Sequence, residues 1–161
     1  RDSRSAAPVR TVRSIQRLPA VPHHGCDWIA AQYTQWLPGA MASLIAVEVD
    51  QTTGRVAFRL RGWTRQLLVL QFVSDGSDDS RRKFHIVGGL LSRTIDTGWL
   101  EFRQVEHRRY TLAAIHEFVP RLPWLLYLLT QAQLHGWVMA RFARHLEQAQ
   151  RSLATSGSPD P

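Results

Sequence analysis

The hydrophobic period of this chain changes three times, and the changes outline a fold. Val9 to Leu18 (VRTVRSIQRL) puts Val9, Thr11, Arg13 and Ile15 on one parity and Val12 on the other. That pattern predicts an edge strand with its arginines in water. PAVPHHG turns the chain, and Asp27 stands as the N-cap of a short helix, DWIAAQYTQWL. Trp28, Ala31, Gln32, Gln35 and Trp36 lie near one face of it, and Pro38 and Gly39 are expected to stop it. From residue 41 the period is two. MASLIAVEVD (41–50) predicts a strand, QTTG (51–54) a turn, and RVAFRLR (55–61) a strand. In the last of these Val56, Phe58 and Leu60 oppose Arg55, Ala57, Arg59 and Arg61, one face dry and one wet. QLLVLQFV (66–73) is a largely apolar strand, SDGSDDSRR (74–82) reads as a polar, mobile loop, and KFHIVGGLLSR (83–93) as the next strand. Gly88 and Gly89 mark a bulge or bend in it, of use where a sheet curls. WLEFRQV and RYTLAAIHEF form a hairpin through EHR. After Pro120 and Pro123 the helical period returns and predicts a long helix from Trp124 to about Gln150.

On that helix Leu125, Leu129, Gly136 and Ala140 make one apolar stripe, which Trp137, Met139, Phe142 and Leu146 widen. Arg141, Arg144, Glu147 and Gln148 supply the polar side. Such a stripe is wider than a helix lying on solvent needs, so it is expected to cover a sheet. Residues 1–8 read as a disordered basic arm and 151–161 as a disordered tail, which leaves a single domain over 9–150.

The chain has 161 residues, 44% hydrophobic and 20% charged, as a folded domain of this size should have. Its net charge is +7, of which +4 falls in residues 1–22, and Lys83 is the only lysine. A basic chain is drawn to phosphate or anionic lipid non-specifically. The arginines are dispersed over turns and one strand face without interleaved stacking aromatics, so a solvated face accounts for them and no specific nucleic-acid partner is expected. Cys26 is the only cysteine, which excludes an internal disulfide and a cysteine-based zinc site and fits a cytoplasmic location. The opening RDSRSAAPVR, rich in Arg and Ser, also has the composition of a transit peptide, so organellar import is the alternative. The richest apolar run, Leu122 to Val138, is broken by Gln131, Gln133 and His135, and no transmembrane segment is expected.

The order strand, helix, six antiparallel strands, long helix resembles the helix-grip fold of the START-like, or polyketide cyclase-like, superfamily. The stretch GWLEFRQVEHRRYTLAAIHEFVPRLPWLLYLLTQAQLHGWVMARFARHL resembles the C-terminal half of its uncharacterised members, where a last strand ends in Phe-x-Pro and passes into an aromatic-rich helix. The resemblance implies an α+β chain in which a curved antiparallel sheet of about seven strands wraps a C-terminal helix, with a cavity between them. It implies no catalytic residues, because the superfamily has no common set.

His116 alternates with Tyr110, Leu112, Ala114 and Phe118, the more apolar parity of its strand, and is expected to point toward the helix. There it is either a buried neutral histidine with a hydrogen-bonding neighbour or a ligand-contacting acid/base. Glu101 and Arg103 share a parity with Trp99, opposite Leu100 and Phe102; the simpler reading puts the pair outside, the sharper one on the cavity side. His85 alternates with Val87 and is a second candidate wall residue, and Trp137 fills core volume or walls a ligand. His23 and His24 are adjacent on a loop and poorly placed for one metal; His135 and His145 are about three turns apart on the helix. No G-x-S-x-G, HExxH or phosphate loop occurs, and no cofactor or metal is expected.

Three functions follow. The first is a binding module for a mainly apolar small molecule or lipid, lined by His116, Tyr110, Phe118, Trp137, His85 and Trp99. The second is a cyclase or lyase on a polyketide-like or carbonyl substrate, with His116 and Glu101 as acid/base groups. The third is an accessory interaction domain of a larger protein.

Overall fold

A computed structural model describes residues 11–92, 98–105, 107, 109–120 and 132–156. The strands are β1 (Val12–Pro19), β2 (Ile45–Asp50), β3 (Arg55–Leu60), β4 (Gln66–Asp78), β5 (Arg81–Gly88), β6 (Trp99–Val105) and β7 (Tyr110–Phe118). Two helices stand among the described residues, α1 (Cys26–Ala40) and α2 (Ala132–Ser156). The seven strands make one curved, open antiparallel sheet in the order β1-β7-β6-β5-β4-β3-β2. Consecutive strands from β2 to β7 are neighbours, as successive antiparallel strands readily are. Only β1 crosses over, to the far edge beside β7. One sheet face, the inner face, packs on α1 and α2, which also touch each other. Phe102, Phe142, Leu18, Ile29, Leu146 and Val21 are the largest side chains fully buried in that layer.

Local chemistry places the elements more finely than pattern does. The helix α1 begins at Cys26, with Gly25 rather than Asp27 as its N-cap. A β-carbon on Gly25 would lie 2.7 Å from the Asp79 carbonyl oxygen, so only glycine lets the helix start against the β4–β5 turn. There the Cys26 N–H donates to Asp79 O and its thiol to Ser80 O. At the other end Pro38 does not stop α1, which continues to Ala40. A proline in the last turn removes one backbone bond, which a helix end tolerates.

The polar run 74–82 is a strand extension and a two-residue turn, not a mobile loop. Its side chains replace missing ladder bonds. Ser77 Oγ donates to Val73 O and accepts from the Lys83 N–H, and the Asp78 carboxylate accepts from the Ser80 N–H and hydroxyl. The strand expected over 41–50 starts only at Ile45, because Ala42 and Ser43 take left-handed backbone angles. The strand expected over 83–93 ends at Gly88, where Val87 is bulged out between the pairs Val69↔Gly88 and Leu70↔Ile86. The long helix runs to Ser156, past the expected end at Gln150. Trp124, Leu125 and Leu129 lie outside the described residues.

Candidate functional site: an apolar cavity under the sheet

Between the inner sheet face and the two helices lies a cavity of about 240 Å³. Its floor is Phe58, Leu68, Leu70, Ile86, Leu100, Phe102, Ala113, Ile115 and Phe118, from five adjacent strands. Tyr33 and Leu37 of α1 and Leu134, His135, Val138 and Met139 of α2 form the roof, and Val12 and Ser14 of β1 one wall. Leu134 lines the cavity and is 49% exposed, so it marks where the cavity meets the surface. The polar side chains of the lining are Ser14, Tyr33 and His135. Burial lowers the pKa of the His135 imidazole below its ordinary value and pushes the Tyr33 phenol up to about 12. Both are therefore neutral near pH 7.

Of the residues expected to line a ligand, Phe118 is at the cavity and the others are not. His116, Trp99, His85 and Tyr110 occupy the outer sheet face. The register explains why. Val12 pairs with Phe118 but Ser14 pairs with Ile115, so three steps along β7 match two along β1. The extra residue is taken up where Glu117 adopts a φ of 50°. Phe118 therefore returns to the inner face with Ala113 and Ile115, while Tyr110, Leu112, Ala114 and His116 point out. Cross-strand pairing then lines up His85, Trp99 and His116 in one outer row. Trp137 is 45% exposed on α2, with the Arg141 guanidinium 4.9 Å from its ring centre. It borders a second, polar depression with Trp36, Arg144, His145 and Gln148. Of the expected stripe, Met139, Phe142 and Leu146 do face inward; with His135 and Val138 they stand at spacings i, i+3, i+4, i+7 and i+11 counted from His135, while Ala140 is exposed. His135 was legible as a member of this stripe; the expectation that the aromatic Trp137 must face inward hid it.

The outer face holds a cluster of its own. Glu101 is buried there and paired with Arg81, not Arg103. Arg81 donates from Nε and Nη2 to Glu101 Oε2 at 3.0 and 2.8 Å. His116 Nε2 stands 3.6 Å from Glu101 Oε1, and its ring stacks on Trp99 with centroids 4.9 Å apart. His116 and Glu101 thus do meet, as an acid/base pair requires, but the thickness of the sheet separates them from the cavity. Tyr110 lies under Arg17, 3.3 Å from guanidinium carbon to ring centre. His24 stacks on Trp28, and its carbonyl accepts from Gln104 Nε2. Among the described residues no three of His, Cys, Asp and Glu are grouped as a metal would need, and no helix is long and apolar enough to cross a membrane.

No protein-family model matches the chain, and no curated protein does. Among solved structures, an uncharacterized protein from Bacillus thuringiensis is similar to 88% of this chain over 98% of its own length, at 8% identity and a TM-score of 0.46. A likeness of that degree carries nothing about ligand or activity.

Proposed function

We propose that this chain binds a mainly apolar small molecule or lipid-like compound in the cavity between the inner sheet face and α2, as a START-like, helix-grip domain would. The cavity itself carries the reading. Protein interiors are close-packed and rarely hold voids larger than a water. An apolar space of about 240 Å³ leaves its walls either facing water or short of neighbours, and both are unfavourable. An apolar occupant restores the lost dispersion contacts without leaving a buried polar group unpaired. The enzyme reading loses its geometric support, because His116 and Glu101 open away from the cavity.

The test is titration with prodan, a neutral, environment-sensitive fluorescent probe built on one naphthalene with a single ketone carbonyl. Saturable enhancement at one equivalent, with a rise in unfolding temperature, is the expected result. Ala113 is buried in the cavity floor, so Ala113→Phe should fill the space and abolish binding while the near-UV circular dichroism shows the fold kept. Undiminished binding by that folded variant would move the site elsewhere, and no binding by the wild type would refute the proposal.

A further inference from the structure

The lining of the cavity separates ligands by charge as well as by polarity. Among the described residues, no Asp, Glu, Lys or Arg contributes to it. The arginines of α2 are sorted to other faces. Arg141 and Arg144 border the polar depression beside Trp137, and Arg151 sits by Glu147 at the far end of the helix. On the strands Arg13 and Arg17 of β1, Arg81 and Lys83 of β5 and Arg103 of β6 belong to the outer parity, whereas Arg82 of β5 shares the inner parity but lies over the Phe72 ring, and neither of those two residues is part of the cavity lining. A carboxylate or phosphate drawn under the sheet would lose its hydration and gain no counter-charge, which is strongly unfavourable. The one basic group present, His135, is held neutral by the same burial. What the walls do supply is hydrogen bonding. The Ser14 and Tyr33 hydroxyls each donate or accept, and a neutral imidazole does one at each nitrogen.

Size narrows the class further. A dry cavity of about 150 Å³ accommodates benzene, and drug-sized ligands occupy roughly 300–1,000 Å³. At about 240 Å³ this cavity falls between them. It has room for one aliphatic chain or one to two fused rings, and not for a two-chain phospholipid.

Resting on the cavity reading above, we infer that the ligand is an uncharged single-chain or one- to two-ring compound with one hydroxyl or carbonyl, held by Ser14, Tyr33 and His135. An ionised acid of the same skeleton is rejected. The pair 1-naphthol and 1-naphthoate tests this near neutral pH, by calorimetry and by displacement of prodan. Naphthol should bind at least ~10-fold more tightly, chiefly because naphthoate brings a charge that must be desolvated. His135→Arg places a cation in the roof and should shift the ratio toward naphthoate by ~10-fold or more. If the wild type binds naphthoate as tightly as naphthol, the inference is overturned and the cavity reading stands. If His135→Arg folds and leaves the ratio unchanged, His135 does not face the polar group, which also overturns it. If neither naphthyl compound nor the probe binds the wild type, the cavity reading fails, and the inference with it.

Discussion

Gly89 is the residue whose substitution the structure prices most sharply. It follows the Gly88 end of β5 with a φ of 113°, in a region that side chains rarely enter. A β-carbon there would lie 2.3 Å from the Leu67 carbonyl oxygen and 2.6 Å from both the Leu67 carbonyl carbon and Leu68 Cα. All three are backbone atoms, so no rotamer change relieves the clash. Backbone strain of this kind costs about 1–3 kcal/mol. Relief requires the segment to move off β4, which weakens the bonds from the Leu90 N–H to Gln66 O and the Leu91 N–H to Leu67 O. Each such bond contributes about 0.5–1.5 kcal/mol. Gly89→Ala should therefore destabilise by about 3–5 kcal/mol, the sum of these ranges at their middle. Gly88 is the internal control. Nothing lies within 4 Å of its would-be β-carbon, and its φ is not left-handed. Gly88→Ala should stay within about 1 kcal/mol of wild type. Urea unfolding followed by tryptophan fluorescence, with the slope m checked for constancy, measures both. A Gly89→Ala variant within about 1 kcal/mol of Gly88→Ala would refute the close approach. Because Leu67 and Leu91 also line the cavity, probe affinity should fall along with stability in Gly89→Ala.

Two other outcomes follow from buried groups. Arg81→Ala leaves the Glu101 carboxylate buried without its guanidinium and should cost about 1–3 kcal/mol, whereas the double change Arg81→Met with Glu101→Leu should be near neutral in the same urea assay. Equal losses in the two would show that packing, not the unpaired charge, dominates. Tyr33 and Cys26 are protonated in the fold up to about 12 and about 11, against ordinary values of 10.0 and 9.0. A raised folded-state pKa contributes stability that is complete below the unfolded value and is lost as pH rises through the folded one. Stability should thus fall as pH rises above 9.0, through Cys26 first and through Tyr33 above 10.0. Tyr33→Phe should flatten the upper part of that fall, and an unchanged slope there would contradict the buried phenol.

The order of elements was legible in the sequence because period is a local property. The alternation in RVAFRLR and WLEFRQV, the glycine pair at 88–89 and the turn QTTG each report on a few neighbouring residues, and the strands they announced are there. The polar run 74–82 misled because hydrogen bonds from Ser77, Asp78 and Ser80 substitute for a hydrophobic face, and their partners are chosen by the fold. Sidedness was the larger gap. Along RYTLAAIHEF the more apolar parity is Tyr110, Leu112, Ala114, His116 and Phe118, and that argued for the interior. The sheet instead turns Thr111, Ala113 and Ile115 inward. Alternation reports that two faces differ but not which of them meets the helices, so the signal that revealed the strand concealed the site. The bulge at Glu117 then returns Phe118 to the inner face, a shift that depends on pairing with β1, which lies some hundred residues earlier in the chain. For the same reason Glu101 could be seen as a charged residue on an outer strand face but not as a buried one. Its burial and its partner Arg81 follow from the packing of β5 against β6. By itself, then, the sequence determined which segments are strands and helices and in what order. Tertiary structure alone decided which face each residue serves, because a single bulge inverts the face of every residue beyond it, and only long-range register says where the bulge falls.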